Sequence, residues 1–464
     1  MRTASKLMTT LLAGLLPMHL GMAEDLLTVY QMAVSSDPVL KGADAERRAQ
    51  LELEPQAMAE LLPRVDLFGD TNYSNFKNSD GFNTNALTIS ARQPVFRLDR
   101  MKRLAQSKFQ VAEAEYRYDS VEQELIIRTA DAYFALLDAE VELAFAIADK
   151  KAISRQLEQA QRRFEVGLVT ITDVYEAQAR YDRAIANEII AVNERADAQE
   201  ALRQLTGQAI PSVFFLSQDL PLVTAEPHDV EVWVEEARRN NPTVLAARAT
   251  VDAASEEIEV QRAANYPSVD AVASYINDNS NAPLALDLDG GVIGLELSLN
   301  LFAGGGIASR TRQAADLRER ALETMESSIR SAERQTRDAF RNLDATISFV
   351  NAVDQTVISS RSAAEATQAG FDVGTRTIVD VLDAERDLLL AQRDYEIARN
   401  RHVLSRLELK QAAGNLSGED LALLNRYLTP QPYEWLMPDP SAGLNPLGVM
   451  PEEPQTIQQP PSNE

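Results

Sequence analysis

Ile293, Leu295, Leu297, Leu299 and Leu301 alternate with Gly294, Glu296, Ser298 and Asn300. A period of two puts the large apolar side chains on one face of a strand and the polar groups on the other. The pattern predicts a strand over 293–302. A weaker copy lies earlier, with Leu87, Ile89, Ala91 and Val95 set against Thr88, Ser90 and Arg92. Each of these segments follows a partner strand, over 65–77 and 269–277, in which Phe68 and Ile276 fall on the wrong parity. Polar, glycine-bearing stretches, Asn78-Ser79-Asp80-Gly81 and 278–291, separate the partners as hairpin loops do. Two hairpins are predicted, 65–97 and 269–302.

Elsewhere the pattern is helical. Residues 98–165 and 303–371 contain no proline and are rich in alanine with interspersed charge. Gly167 and Gly374 each interrupt this run, and a second helix continues to Gly207 or Gly414. Upstream of each hairpin, Asp37-Pro38 and Asn241-Pro242 combine an N-cap side chain with proline at the first helical position, and these helices are predicted to run to Pro63 and Pro267. The segment 98–165 would span roughly 100 Å as a helix, and helices over 38–62 and 170–206 stacked end to end would reach about 93 Å. Two shorter helices therefore match one long one. Helices of this length need neighbours, because none has a core of its own.

The chain is a tandem duplication. Ser-Asp-Pro at 36–38 is echoed by Asn-Asn-Pro at 240–242, and Leu-Pro-Arg-Val-Asp at 62–66 by Tyr-Pro-Ser-Val-Asp at 266–270. Asp131-Ala132-Tyr133 is echoed by Asp338-Ala339-Phe340, and Phe-Glu-Val-Gly at 164–167 by Phe-Asp-Val-Gly at 371–374. The expected division is repeat 1 over 24–207, a linker over 208–229 with Pro211, Pro221 and Pro227, and repeat 2 over 230–414. Residues 415–428 close the helical middle, and the proline-rich stretch 429–464 is expected to be a disordered tail.

The N-terminus reads as a signal peptide over 1–23, with Arg2 and Lys6, an apolar stretch from Leu7 to Leu20, and Gly21 and Ala23 before the cleavage point. No other run approaches the length of a transmembrane helix, so a membrane role would fall to the strands. Loss of Arg2 and Lys6 with the leader takes the formal charge from −25 to −27. Such a surface repels nucleic acid, and none is expected as a partner. The chain has no cysteine, which removes disulfides, thiol chemistry and a lipid anchor on cysteine.

The predicted strands have the length that a tilted transmembrane strand needs. Four strands cannot close around a lumen, and an open edge in lipid leaves backbone groups unpaired at high cost. The strands must be pooled between copies of the chain. Physics demands an oligomer here without choosing its size.

Arg163-Phe164-Glu165-Val166-Gly167-Leu168-Val169 with Ile171-Thr172-Asp173-Val174, and the run from Val373 through Gly374-Thr375-Arg376-Thr377-Ile378-Val379-Asp380-Val381-Leu382-Asp383 to Ala384, resemble the TolC family of outer-membrane factors. The resemblance covers about residues 24–425. It implies an α+β membrane protein in which a long α-helical barrel, a coiled-coil tunnel, continues into a 12-stranded β-barrel of outer-membrane lipid, built by a homotrimer with four strands per chain. It further implies an exit duct of a tripartite efflux or type I secretion system, reached through a periplasmic adaptor protein from an inner-membrane pump. The tips at 164–174 and 371–384 would be a gated periplasmic entrance. Carried over by position, Arg376 would bridge to Thr172 and Asp173 between neighbouring coiled coils, and Asp380 and Asp383 would line the constriction. Phe371 stands where the family has a gate tyrosine, and Gln368 where it has a glutamate facing the position of Gln156; a looser or differently locked gate is expected.

The residues themselves allow plainer readings. Thr170 with Asp173 and Thr377 with Asp380 fit the helix-capping pattern, whereas Asp383 has no capping role. Gly304-Gly305-Gly306 lacks a following Lys-Ser/Thr and reads as a strand-to-helix turn. His228 and His402 have no ligand spacing around them, so neither a metal, a cofactor nor an enzymatic site is expected. A periplasmic helical structural or adaptor protein without a pore remains the alternative.

Overall fold

The computed structural model describes residues 23–75, 81–280 and 288–433. The expected signal peptide and most of the expected tail lie outside these residues.

Repeat 1 contributes α1 (Leu26–Ser36), α2 (Pro38–Leu51), α3 (Leu53–Ala59), β1 (Arg64–Ser74), β2 (Phe82–Phe96), α4 (Leu98–Glu165) and α5 (Ile171–Thr206). A connection carrying β3 (Phe215–Leu216) leads to α6 (Val230–Asn240), α7 (Pro242–Ala263), β4 (Ser268–Ser280), β5 (Leu288–Ser298), α8 (Gly306–Asp372) and α9 (Ile378–Ala413). α10 (Gly418–Asn425) and β6 (Leu428–Thr429) follow. Helix α4 has 68 residues and α8 has 67. Among the described residues, no helix is long and apolar enough to cross a membrane.

Several boundaries differ from expectation. The helix predicted to run from 38 to Pro63 breaks at Glu52 into α2 and α3. Pro55 explains it: without an N–H it cannot donate to the carbonyl of Leu51, the last residue of α2. Glu259 holds the equivalent place in repeat 2, and α7 runs unbroken through it. Strand β5 ends at Ser298 rather than at residue 302, because its last partner is Ser268 and Pro267 beyond it has no N–H to offer. The connection over 208–229 is more than a linker, since β3 pairs with β6 and buries Ile210, Val213 and Leu216. The start of the expected tail is likewise packed: Thr429 sits in that pairing, and Tyr433 is buried with its ring edge-on to Phe215 at 5.3 Å.

The four long strands form one antiparallel sheet in the order β1-β2-β4-β5. Register shows what each face carries. Val65, Leu67, Leu87, Ile89, Ala91, Val269, Ala271, Ala273, Ile293, Leu295 and Leu297 share one face. Asp66, Asp70, Ser90, Arg92, Asp270, Ser274 and Glu296 share the other, where Phe68 and Ile276 also fall. A register shift between Pro94 and Phe96 turns the end of β2 towards α4. At this junction Arg92 bridges Asp270 at 3.1 Å and Glu296 at 2.8 Å.

The largest apolar core lies midway along the helices, not at either end. Leu125, Tyr133, Phe134 and Leu137 of α4 pack with α1, Leu202 of α5, the connection, Leu407 of α9 and Leu421 of α10. Tyr133 donates its hydroxyl to the carbonyl of Phe214 at 2.9 Å, tying the connection to α4. Asp37 caps α2 by accepting from Leu40 N–H at 2.9 Å and pairs with Arg128 at 3.0 Å. Far from this belt the long helices narrow to paired coils closed by small residues. Ala177, Ala184 and Ala191 of α5 recur every seven residues in buried positions, as a coiled-coil seam requires.

Candidate functional site at the helical tips

Both tips are built by the same local chemistry. At the first, Gly167 takes a φ of 75° and donates its N–H to Phe164 O at 2.9 Å, while Leu168 N–H reaches Arg163 O. The left-handed backbone ends α4, and glycine adopts it without strain. Thr170 then starts α5 with a capping box: its N–H donates to Asp173 Oδ2 at 2.7 Å, and Asp173 N–H donates back to Thr170 Oγ1 at 3.4 Å. The second tip repeats this with Gly374 at φ 82°, and with Thr377 N–H to Asp380 Oδ2 at 2.8 Å. The hydrogen bond from the Thr170 backbone, then that from its hydroxyl, holds the Asp173 carboxyl below its ordinary pKa. Thr377 does the same for Asp380.

The structure therefore gives Asp173 and Asp380 a helix-starting role, and Asp383 a different one. Asp383 Oδ1 lies 3.5 Å from Nη1 of Arg180 on α5, whose Nη2 also reaches Glu176 at 3.1 Å. Arg376 forms no ion pair or side-chain hydrogen bond among the described residues, and Thr172 is exposed. Gln368 donates to Asp372 Oδ1 at 2.9 Å rather than to Gln156. Gln156 is buried and lines the groove that also holds Asp383 and Arg180. Phe371 is half-buried, and its carbonyl accepts from Gly374 N–H. Gly370 lies against Arg376: a Cβ on it would stand 2.7 Å from Arg376 Cγ.

Above the tips, α4 and α9 are joined by a series of polar pairs that sequence reasoning missed. Asn400 donates to Asp138 at 2.7 Å, Arg393 meets Glu142 at 3.1 Å, and Arg386 meets Asp149 at 3.2 Å. The three α9 members are spaced by seven, so they share one seam of that helix. Burial lifts the Asp138 carboxyl to about 6, with the Asn400 bond opposing, and lifts Asp149 against the pull of Arg386. Burial also raises Glu140 to about 7, against Arg195 at 3.8 Å. A heptad scan of α9 would have exposed the Arg386–Arg393–Asn400 spacing, but nothing local names their partners. Among the described residues, no cluster could hold a metal ion.

The profile of the family described as "Outer membrane efflux protein" matches residues 29–208 and again 233–415, once for each repeat. The chain is 36% identical over 451 residues to "Outer membrane protein TolC" of Escherichia coli (strain K12), covering 94% of this chain and 89% of that protein. It is 28% identical over 439 residues to the "Alkaline protease secretion protein AprF" of Pseudomonas aeruginosa, covering 91% of each. Among solved structures, it resembles a membrane protein from Pseudomonas aeruginosa with a TM-score of 0.73 at 19% identity, over 86% of this chain and 92% of that one. The CmeC outer membrane channel of Campylobacter jejuni gives a TM-score of 0.72 at 16% identity, over 87% and 90%.

Proposed function

The chain belongs to the outer membrane efflux protein family, and from this we propose a conduit completed by three copies of it, closed at the periplasmic end by contacts between neighbouring tips. It is an outer-membrane exit duct of the efflux and type I secretion kind, with its helical part in the periplasm. Channels of this family work with adaptor and inner-membrane pump partners, and they are not enzymes.

The observation that carries the oligomer is a pair of unfinished edges. Among the described residues, strand order leaves β1 and β5 each with a neighbour on one side only. The helices end the same way: α4 lies between α5 and α9, so α5 and α8 each keep an outer flank. Those flanks carry apolar residues at comparable heights. Ile189 and Ile190 on α5 and Phe349 on α8 are all more than half exposed in the single chain, and by helical rise the isoleucines lie about 28 Å and Phe349 about 35 Å above their tips. A head-to-tail ring seats Phe349 of one copy on Ile189 and Ile190 of the next, and joins β5 to the neighbouring β1. The apolar sheet face then meets lipid and the charged face lines the lumen.

At the tips, Asp173 uses Oδ2 for its cap, and Oδ1 takes no hydrogen bond among the described residues. Arg376 of an adjacent copy is the partner we assign to it, with Thr172 beside it. Phe371 brings no hydroxyl to this contact and Gln368 is engaged by Asp372, so Arg376 is the principal lock. The test is single-channel conductance in a planar bilayer, wild type against Arg376→Ser. A small wild-type conductance that rises sharply in the variant supports the gated duct. Equal conductances remove Arg376 as the lock, and no current from correctly assembled protein removes the pore.

A further inference from the structure

A groove of about 660 Å³ separates α9 from the α4–α5 coil just above the tips. Its charged lining is Arg180, Arg183 and Arg386 against Asp149, Asp383 and Asp387. Three of each sign is an unexpected balance in a chain whose formal charge is −25. Three of the acids at the constriction and in the groove have a partner, and Asp387 forms no ion pair among the described residues. Asp380 is spent on its helix, accepting from both the N–H and the hydroxyl of Thr377 at 2.8 Å. Asp149 is buried against Arg386. Asp383 is met across the groove, where Arg180 reaches it from the other coil at 3.5 Å while Glu176 holds the same guanidinium at 3.1 Å.

We propose that Arg180 sets the charge selectivity of the entrance by neutralising Asp383 across this groove, so that the constriction discriminates between cations and anions far less than its carboxylates alone would. This rests on the reading of the tips as the mouth of a duct. An unpaired carboxylate ring in a narrow, poorly screened opening concentrates cations and repels anions. A guanidinium within 4 Å of both Asp383 and Glu176 offsets one of their two negative charges, so the cluster presents −1 where the carboxylates alone would present −2. Glu176, four residues before Arg180, orients the guanidinium from its own helix and keeps it in place when the coils separate. Opening the groove would then part Arg180 from Asp383, so the same contact joins the state of the entrance to its preference for charge.

The test is the reversal potential of purified protein in a planar bilayer under a KCl gradient. Arg180→Gln is expected to raise the permeability ratio of potassium to chloride about fivefold, the scale of one unit charge at close range in water. Arg180→Lys, which keeps the charge, should stay near wild type. Adding Asp383→Asn to Arg180→Gln should bring the ratio back down. Currents with an unchanged reversal potential in Arg180→Gln overturn the assignment and leave the duct intact. A shift that persists after Asp383→Asn overturns it too, by placing the effect on another acid. No current from the wild type removes the duct reading and this one with it.

Discussion

Arg386 of α9 approaches the carboxylate of Asp149 on α4 to 3.2 Å, and Asp149 is almost wholly buried while Arg386 keeps about half of its surface in water. The pair is therefore asymmetric: losing the arginine strands a carboxylate that water barely reaches, whereas losing the aspartate strands nothing.

Arg386→Gln should accordingly lower stability by roughly 1–3 kcal/mol, the penalty of a buried group left without its partner, reduced because the arginine is half solvated. Asp149→Asn in the same chain should recover most of it. Urea unfolding of the single and double variants checks this. Additive losses would show that the two residues do not interact.

Glu140 ties stability to pH. Burial lifts its folded pKa from 4.5 to about 7, so between those values the folded chain holds a proton that the unfolded chain releases, and stability falls as pH rises through that window. Asp138, lifted from 3.8 to about 6, acts in the same sense. His402 opposes them: burial lowers it from 6.5 to about 4, so its contribution is lost as pH falls from 6.5. Glu140→Gln isolates one group. The variant should gain on wild type progressively from pH 5 to pH 8 in urea unfolding, and a pH-independent difference would refute the shift.

Gly370→Ala should disturb the second tip. The added methyl would lie 2.7 Å from Arg376 Cγ, too close for the arginine to hold its place. A local cost of about 1 kcal/mol and a raised single-channel conductance are expected, from overpacking and from displacement of Arg376, the lock proposed above. Wild-type conductance in this variant would separate Arg376 from closure.

Tyr433→Ala should loosen the middle of the molecule. The ring is buried against Phe215 in the connection, so its removal is expected to cost about 3 kcal/mol. Limited proteolysis would detect earlier cleavage around 208–229. Unchanged resistance would mean that β3 and β6 hold without the ring.

What could be read in advance follows how local its cause is. The limits of α4 and α5 were legible because glycine ends one, a Thr-x-x-Asp box starts the other, and no proline intervenes. The break at Glu52 was equally local, but the expected helix was carried past Pro55 to Pro63 on its start signal alone. Leu299 and Leu301 continue the alternation of β5 yet have no strand partner among the described residues, because strand length is set by the neighbour as much as by pattern. At the tips, the capping roles of Asp173 and Asp380 were visible in the spacing. Arg180 was not, since four residues after Glu176 it reads as a solvated helical pair, and its other partner lies 203 residues away.

The exposed backbone of β1 and β5 carries a genetic consequence. In a head-to-tail ring each copy offers one edge and receives another, so a chain with a spoiled β5 still accepts a neighbour on β1. Such a chain would enter rings with normal copies and leave a seam open in lipid. A substitution there should therefore act dominantly when both chains are made in one cell, whereas a substitution that unfolds the chain outright should be recessive.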